Sequence, residues 1–172
     1  MDTTIYAFTV PIFIKSLAGL RALLVKAQES GGNETELLAK QFAADMFPLK
    51  RQVQIACDNA KGCAARLAGI EVPAFEDTEA TIAELISRID KTLAFLATVS
   101  EEMFAGAAER KVVLPYAFLA GKYLKGQDYA REYALPNFFF HYTTAYDLLR
   151  HHGMTIGKAD FINGMQLYDL TD

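Results

Sequence analysis

The sequence predicts an all-α fold, a four-helix bundle with a decorated crossover before the last helix. Four amphipathic segments recur along the chain, three of them of 20 residues or more, with apolar side chains every three or four positions. Glycine, proline and polar clusters separate them, and the one stretch that reads as extended is too short to build a sheet. Long amphipathic helices joined by unequal loops bury their apolar stripes most simply against one another, here with an up-down-down-up order.

The first segment runs from Asp2 or Thr3 to about Glu29, with Ile5, Phe8, Ile12, Leu17, Leu20 and Leu24 on one face, and breaks at Ser30-Gly31-Gly32. Pro11 inside it removes a backbone donor, which predicts either a kink or a start near Pro11. Residues 34–43 carry Leu37, Leu38 and Phe42 and predict a connecting turn of helix. Asp45 stands as N-cap of a second long helix, with Met46, Phe47 and Pro48 as its first residues. That helix reaches about Leu67, on a stripe of Met46, Leu49, Val53, Ala56, Ala60 and Leu67 whose alanines let a neighbouring helix come close. Gly62 weakens it and Gly69 ends it.

Residues 73–77 form a loop, Asp77 or Thr78 offers a cap, and Ile82, Leu85, Ile86, Ile89, Leu93, Leu96 and Val99 mark the third long helix. Residues 112–115 and 121–126 read as short extended pieces of a small hairpin. Residues 129–133 add a helical turn. The last helix lies between Pro136, pre-set for a first turn, and Gly153, suited to a left-handed end. Phe138, Phe139 and Phe140 are expected to be largely buried there. The tail, residues 154–172, wraps the surface or a partner subunit through Ile156, Phe161, Ile162, Leu167, Tyr168 and Leu170.

A length of 172 residues with 52% hydrophobic composition suits a single domain over residues 1–172. The formal charge of −4 is spread without basic runs, which argues against nucleic acid as a partner. No basic leader or uninterrupted apolar span is present, so neither a signal peptide nor membrane insertion is expected, and a cytoplasmic location follows. Cys57 and Cys63 fall about 240° apart on their helix, too far for a disulfide, and read as small buried residues.

Chemistry concentrates near the C-terminal end, where all three histidines lie. Asn137 and His141, four apart, share one helix face that could open into a bundle cavity. His141 is expected to line a pocket between the second and last long helices, neutral and hydrogen-bonded to a polar group. His151 and His152 fall in the last turn and read as capping residues. Asp45, Gln52 and Asn59 repeat every seven residues as a polar seam; if it faces the last helix, Asp45 or Gln52 completes a site with Asn137 and His141. Otherwise Asp45 is a cap and the others a solvated flank. The tyrosines at 116, 123, 129, 133, 142 and 146 read as core and interface residues. Phosphate-loop, nucleophile-elbow and Cys-x-x-Cys signatures are absent, and no catalytic residue is assigned.

Met46-Phe-Pro-Leu, Gln52-Val-Gln-Ile-Ala-Cys-Asp-Asn-Ala-Lys61, Arg66-Leu-Ala-Gly69, the run from Leu135 to Arg150 and Gly157-Lys-Ala-Asp-Phe161 together resemble an uncharacterised bacterial family of the DinB-like (DinB/YfiT) four-helix bundle superfamily. The resemblance covers nearly the whole chain. It implies a fold shared with metal-dependent enzymes, some of them thiol transferases, whose metal is held by one histidine on the second helix and a His-x-x-x-His pair on the last. The second histidine of that pair falls on His141 and the first on Asn137, and the second helix has no histidine. The resemblance therefore implies a degenerate metal site and, as often in the superfamily, a homodimer. Two readings follow: a non-catalytic small-ligand-binding or structural dimer without cofactor, and a metal-dependent enzyme, thiol transferase or hydrolase-like, whose zinc or nickel is held by a set rebuilt with Asp45 or Gln52.

Overall fold

The structure, a computed structural model, describes residues 4–170. Its helices are α1 (Val10–Glu29), α2 (Glu34–Leu38), α3 (Leu49–Ala68), α4 (Ile82–Ala97), α5 (Gly126–Asp128), α6 (Leu135–His151) and α7 (Lys158–Ile162). A two-stranded antiparallel ladder, β1 (Lys111–Val112) with β2 (Leu124–Lys125), decorates the connection between α4 and α6 and is all that forms of the expected hairpin.

The four long helices pair in a defined sense. Gln52 meets His141 and Arg66 meets Tyr129, so α3 and the path into α6 run antiparallel. Gln54 bonds Glu79 and Asp58 bonds Arg88, so α3 and α4 are parallel. Arg21 pairs with Asp90 and Thr4 with Glu101, which makes α1 and α4 antiparallel. Phe13 packs on Phe138, and the Tyr142 hydroxyl lies against Gly19, which sets α1 parallel to α6. The order is up-down-down-up. One contiguous apolar core fills the bundle, including Phe13, Leu17, Leu20, Val53, Ala56, Leu85, Ile89, Phe138 and Leu148.

Local chemistry accounts for most helix ends and corrects several expectations. A start of the first helix at Asp2 or Thr3 lies outside the described residues; within them Pro11 takes the second position of α1, where its missing N–H costs no intrahelical bond, so no kink arises from it. Helix α2 spans five residues and stops before Phe42. Asp45 does not cap α3. It is exposed in a turn, and Pro48, extended at ψ 164°, is the residue that flanks the first turn. Gly69 ends α3 at φ 73°, left-handed as its position requires.

Thr81, not Asp77 or Thr78, caps α4 in a capping box with Glu84. Asp77 is drawn away into ion pairs with Arg51 and Arg88. On α4, Arg88 and Thr92 are buried while Leu93 is only half-buried, so the inward face is rotated from the expected stripe. Arg88 is 2% exposed and meets Asp58 at 2.7 Å, Asp77 at 2.9 Å and Glu79 at 2.9 Å, which ties the irregular residues 69–81 to α3 and α4.

Cys57 and Cys63 are free and buried, and burial pushes both thiols up, the first to about 12, so neither supplies a thiolate at neutral pH. The tail does not merely wrap. Helix α7 docks on α1, where Lys26 pairs with Asp160 at 2.6 Å, and on α6, where the Tyr142 hydroxyl donates to the Phe161 carbonyl at 2.6 Å and the two rings stack at 4.3 Å. No helix among the described residues is long and apolar enough to cross a membrane.

Candidate functional site

Between α3 and α6 lies a cavity of about 360 Å³, closed on one side by residues 114–116 of the crossover. Helix α3 contributes Arg51, Ile55, Asp58, Asn59 and Arg66, spaced to share one face, and α6 contributes Asn137 and His141. Tyr129 and Tyr133 come from a π-helical segment, Tyr129–Ala134, that joins α5 to α6. Pro136 sits in the first turn of α6, where its ring crowds the carbonyl four residues before and it offers no N–H. Widening of the preceding turns relieves that conflict and brings Tyr129 and Tyr133 into a stack at 6.0 Å.

His141 is 7% exposed, and its Nδ1 lies 2.7 Å from Oε1 of Gln52, itself 1% exposed. Gln52 Nε2 donates to the Phe47 carbonyl at 2.8 Å, so the amide must present its oxygen to the ring. His141 Nδ1 therefore carries the proton and donates, and Nε2 is left with a lone pair that meets no protein donor among the described residues. Burial, and then the Arg51 charge, pull the imidazole down to about 4, so the ring is neutral at pH 7.

Around this pair the polar groups are unevenly satisfied. Asn59 is 8% exposed and its Oδ1 is fully buried with no hydrogen-bond partner among the described residues. The Tyr116 and Tyr133 hydroxyls meet at 2.7 Å, and burial holds the phenols of Tyr129 and Tyr133 well above their ordinary range. Arg66 reaches the Tyr129 hydroxyl at 3.4 Å.

Three of the four residues expected at the site meet here, and one does not. Gln52, Asn137 and His141 converge, although Asn137 makes no hydrogen bond to His141; exposed Asp45 lies outside the cavity. The solvated flank expected of Gln52 and Asn59 is corrected: both are buried, because α3 turns this seam toward α6. Phe140 is 55% exposed against the expected burial of all three phenylalanines, since it points away from both α1 and α3 while Phe138 fills the core. Sequence reasoning missed Arg66, whose signal was a glycine four positions earlier, and Arg88, whose signal was a cation at core spacing between Leu85 and Thr92.

The donor set does not fit a transition metal. One imidazole and neutral carboxamides supply no anionic ligand, and Asp58, the carboxylate that lines the cavity, is already paired with Lys61 and Arg88. Among the described residues, no three His, Cys, Asp or Glu side chains are placed to hold a metal ion.

Comparisons with known proteins agree with this architecture. Residues 5–162 match the family described as a domain of unknown function, DUF1993. Among solved structures, the chain is similar to the crystal structure of a DinB family member protein from Shewanella denitrificans, at 43% identity and a TM-score of 0.90, with 95% of this chain and 94% of that chain covered. No curated protein matches.

Proposed function

The chain belongs to the DUF1993 family and to the DinB family, and on that premise we propose that it is a non-catalytic binder of a small molecule, with a hydrogen-bonding pocket in place of a metal site. The observation that supports this reading is the locked Gln52–His141 pair: it fixes the proton of the neutral imidazole on Nδ1 and leaves one unprotonated nitrogen at a cavity of ligand size. Neither rebuilt ligand set has the same support. Asp45 stands outside the pocket, and the Gln52 oxygen is already spent on His141.

Metal analysis of protein purified without a histidine tag tests the reading. The expected result is substoichiometric metal, together with ring ¹⁵N shifts that place the His141 proton on Nδ1 at pH 7. Near-stoichiometric zinc, nickel or manganese, with a metal-shifted His141 ring, overturns it in favour of a metal-dependent enzyme.

A homodimer belongs to the same reading. Val113, Phe118 and Tyr123 of the crossover are 66%, 77% and 51% exposed, an apolar surface of the kind that subunits cover. Analytical ultracentrifugation giving a monomer at micromolar concentration removes this part alone.

A further inference from the structure

The α3–α6 cavity holds one charge that no described residue neutralises. Of the charged side chains lining it, Arg51 pairs with Asp77, while Asp58 pairs with Lys61 at 2.9 Å and with Arg88 at 2.7 Å. Arg66 makes no ion pair among the described residues, and its contact with the Tyr129 hydroxyl at 3.4 Å is long for an N–H donor. A guanidinium carries five N–H groups in a planar fork, so most of this one's donors are unused.

Its placement is built into α3. The Arg66 side chain folds back over Gly62, where the Cβ of any other residue would collide with Nη1. Glycine is disfavoured inside a helix, and here its missing side chain is the space the guanidinium occupies. Asn59, about one turn before Gly62 on α3, lines the same cavity, and its Oδ1 is fully buried without a hydrogen-bond partner among the described residues. The free Nε2 of His141 is a second acceptor, and the stacked rings of Tyr129 and Tyr133 form an aromatic wall.

We infer that this pocket takes a small organic acid, whose carboxylate lies on the Arg66 fork while a hydroxyl or amide N–H elsewhere on the molecule donates to Asn59 or His141. A planar carboxylate matches paired N–H donors, and the ring wall favours an aromatic or unsaturated body. The cavity volume of about 360 Å³ limits that body to a small one. The inference rests on the pocket reading above and adds the ligand class.

Titration calorimetry and NMR of the full chain with 4-hydroxybenzoate, its neutral amide 4-hydroxybenzamide, and inorganic phosphate test it. The acid should bind at least tenfold more tightly than the amide and perturb the His141 and Tyr133 resonances. Arg66→Gln should abolish that preference while leaving the circular dichroism spectrum unchanged. Gly62→Ala, which favours the helix but displaces the guanidinium, should act in the same way. Equal binding of acid and amide at His141 and Tyr133 overturns the anion inference and leaves the pocket reading standing. Displacement of the acid by phosphate overturns the carboxylate class. If neither aromatic probe perturbs those resonances, both readings fall.

Discussion

Gln52 and His141, 89 residues apart in sequence, are joined by a buried hydrogen bond of 2.7 Å that ties α3 to α6 at the floor of the cavity. Breaking it leaves a desolvated amide oxygen without a donor. His141→Ala should therefore cost about 1–3 kcal/mol of stability by chemical denaturation. His141→Asn should cost less, because an amide N–H can still reach Gln52; equal losses for the two would show that the hydrogen bond contributes little.

The same histidine makes the fold sensitive to acid. Its folded-state value is held near 4 by burial and then by Arg51, against an ordinary 6.5, so between those limits the unfolded chain binds a proton that the folded chain refuses. Stability should fall as pH drops through that window, by up to about 3 kcal/mol at its lower end. His141→Asn should flatten this part of the pH profile, and an unchanged slope would assign the acid sensitivity to other groups.

Arg88 stands 1% exposed at its side chain among Asp58, Asp77 and Glu79. Removing the cation leaves these carboxylates with Lys61 on Asp58, Arg51 on Asp77 and Gln54 on Glu79 as their compensation among the described residues. Arg88→Ala should cost about 3–5 kcal/mol and raise amide exchange across residues 69–81. Normal protection of that segment in the variant would mean that its backbone is held by other contacts.

Leu85 is fully buried on α4, whereas Leu93 is half-buried. Leu85→Ala should cost about 2–5 kcal/mol and Leu93→Ala well under half of that. A reversed order by denaturant melting would require α4 to be rotated about its axis.

Periodicity and helix-ending residues were enough to determine four long helices, the end of α3 at Gly69 and the placing of Asn137 and His141 on one face of the last helix. These are local properties, written within a turn or two of each residue, and they were legible for that reason. The parts decided by tertiary structure are those in which a polar residue chooses among distant partners. Asp77 looks like a helix cap beside α4 but is claimed by Arg51 and Arg88, so capping passes to Thr81. Asp45 has the right chemistry for a site but lies on a turn that the fold turns to solvent, while Arg66 enters the cavity only because Gly62 vacates the space over α3. Burying a charge or an amide is unfavourable unless its partner is already in place, and only the packed bundle determines where those partners stand.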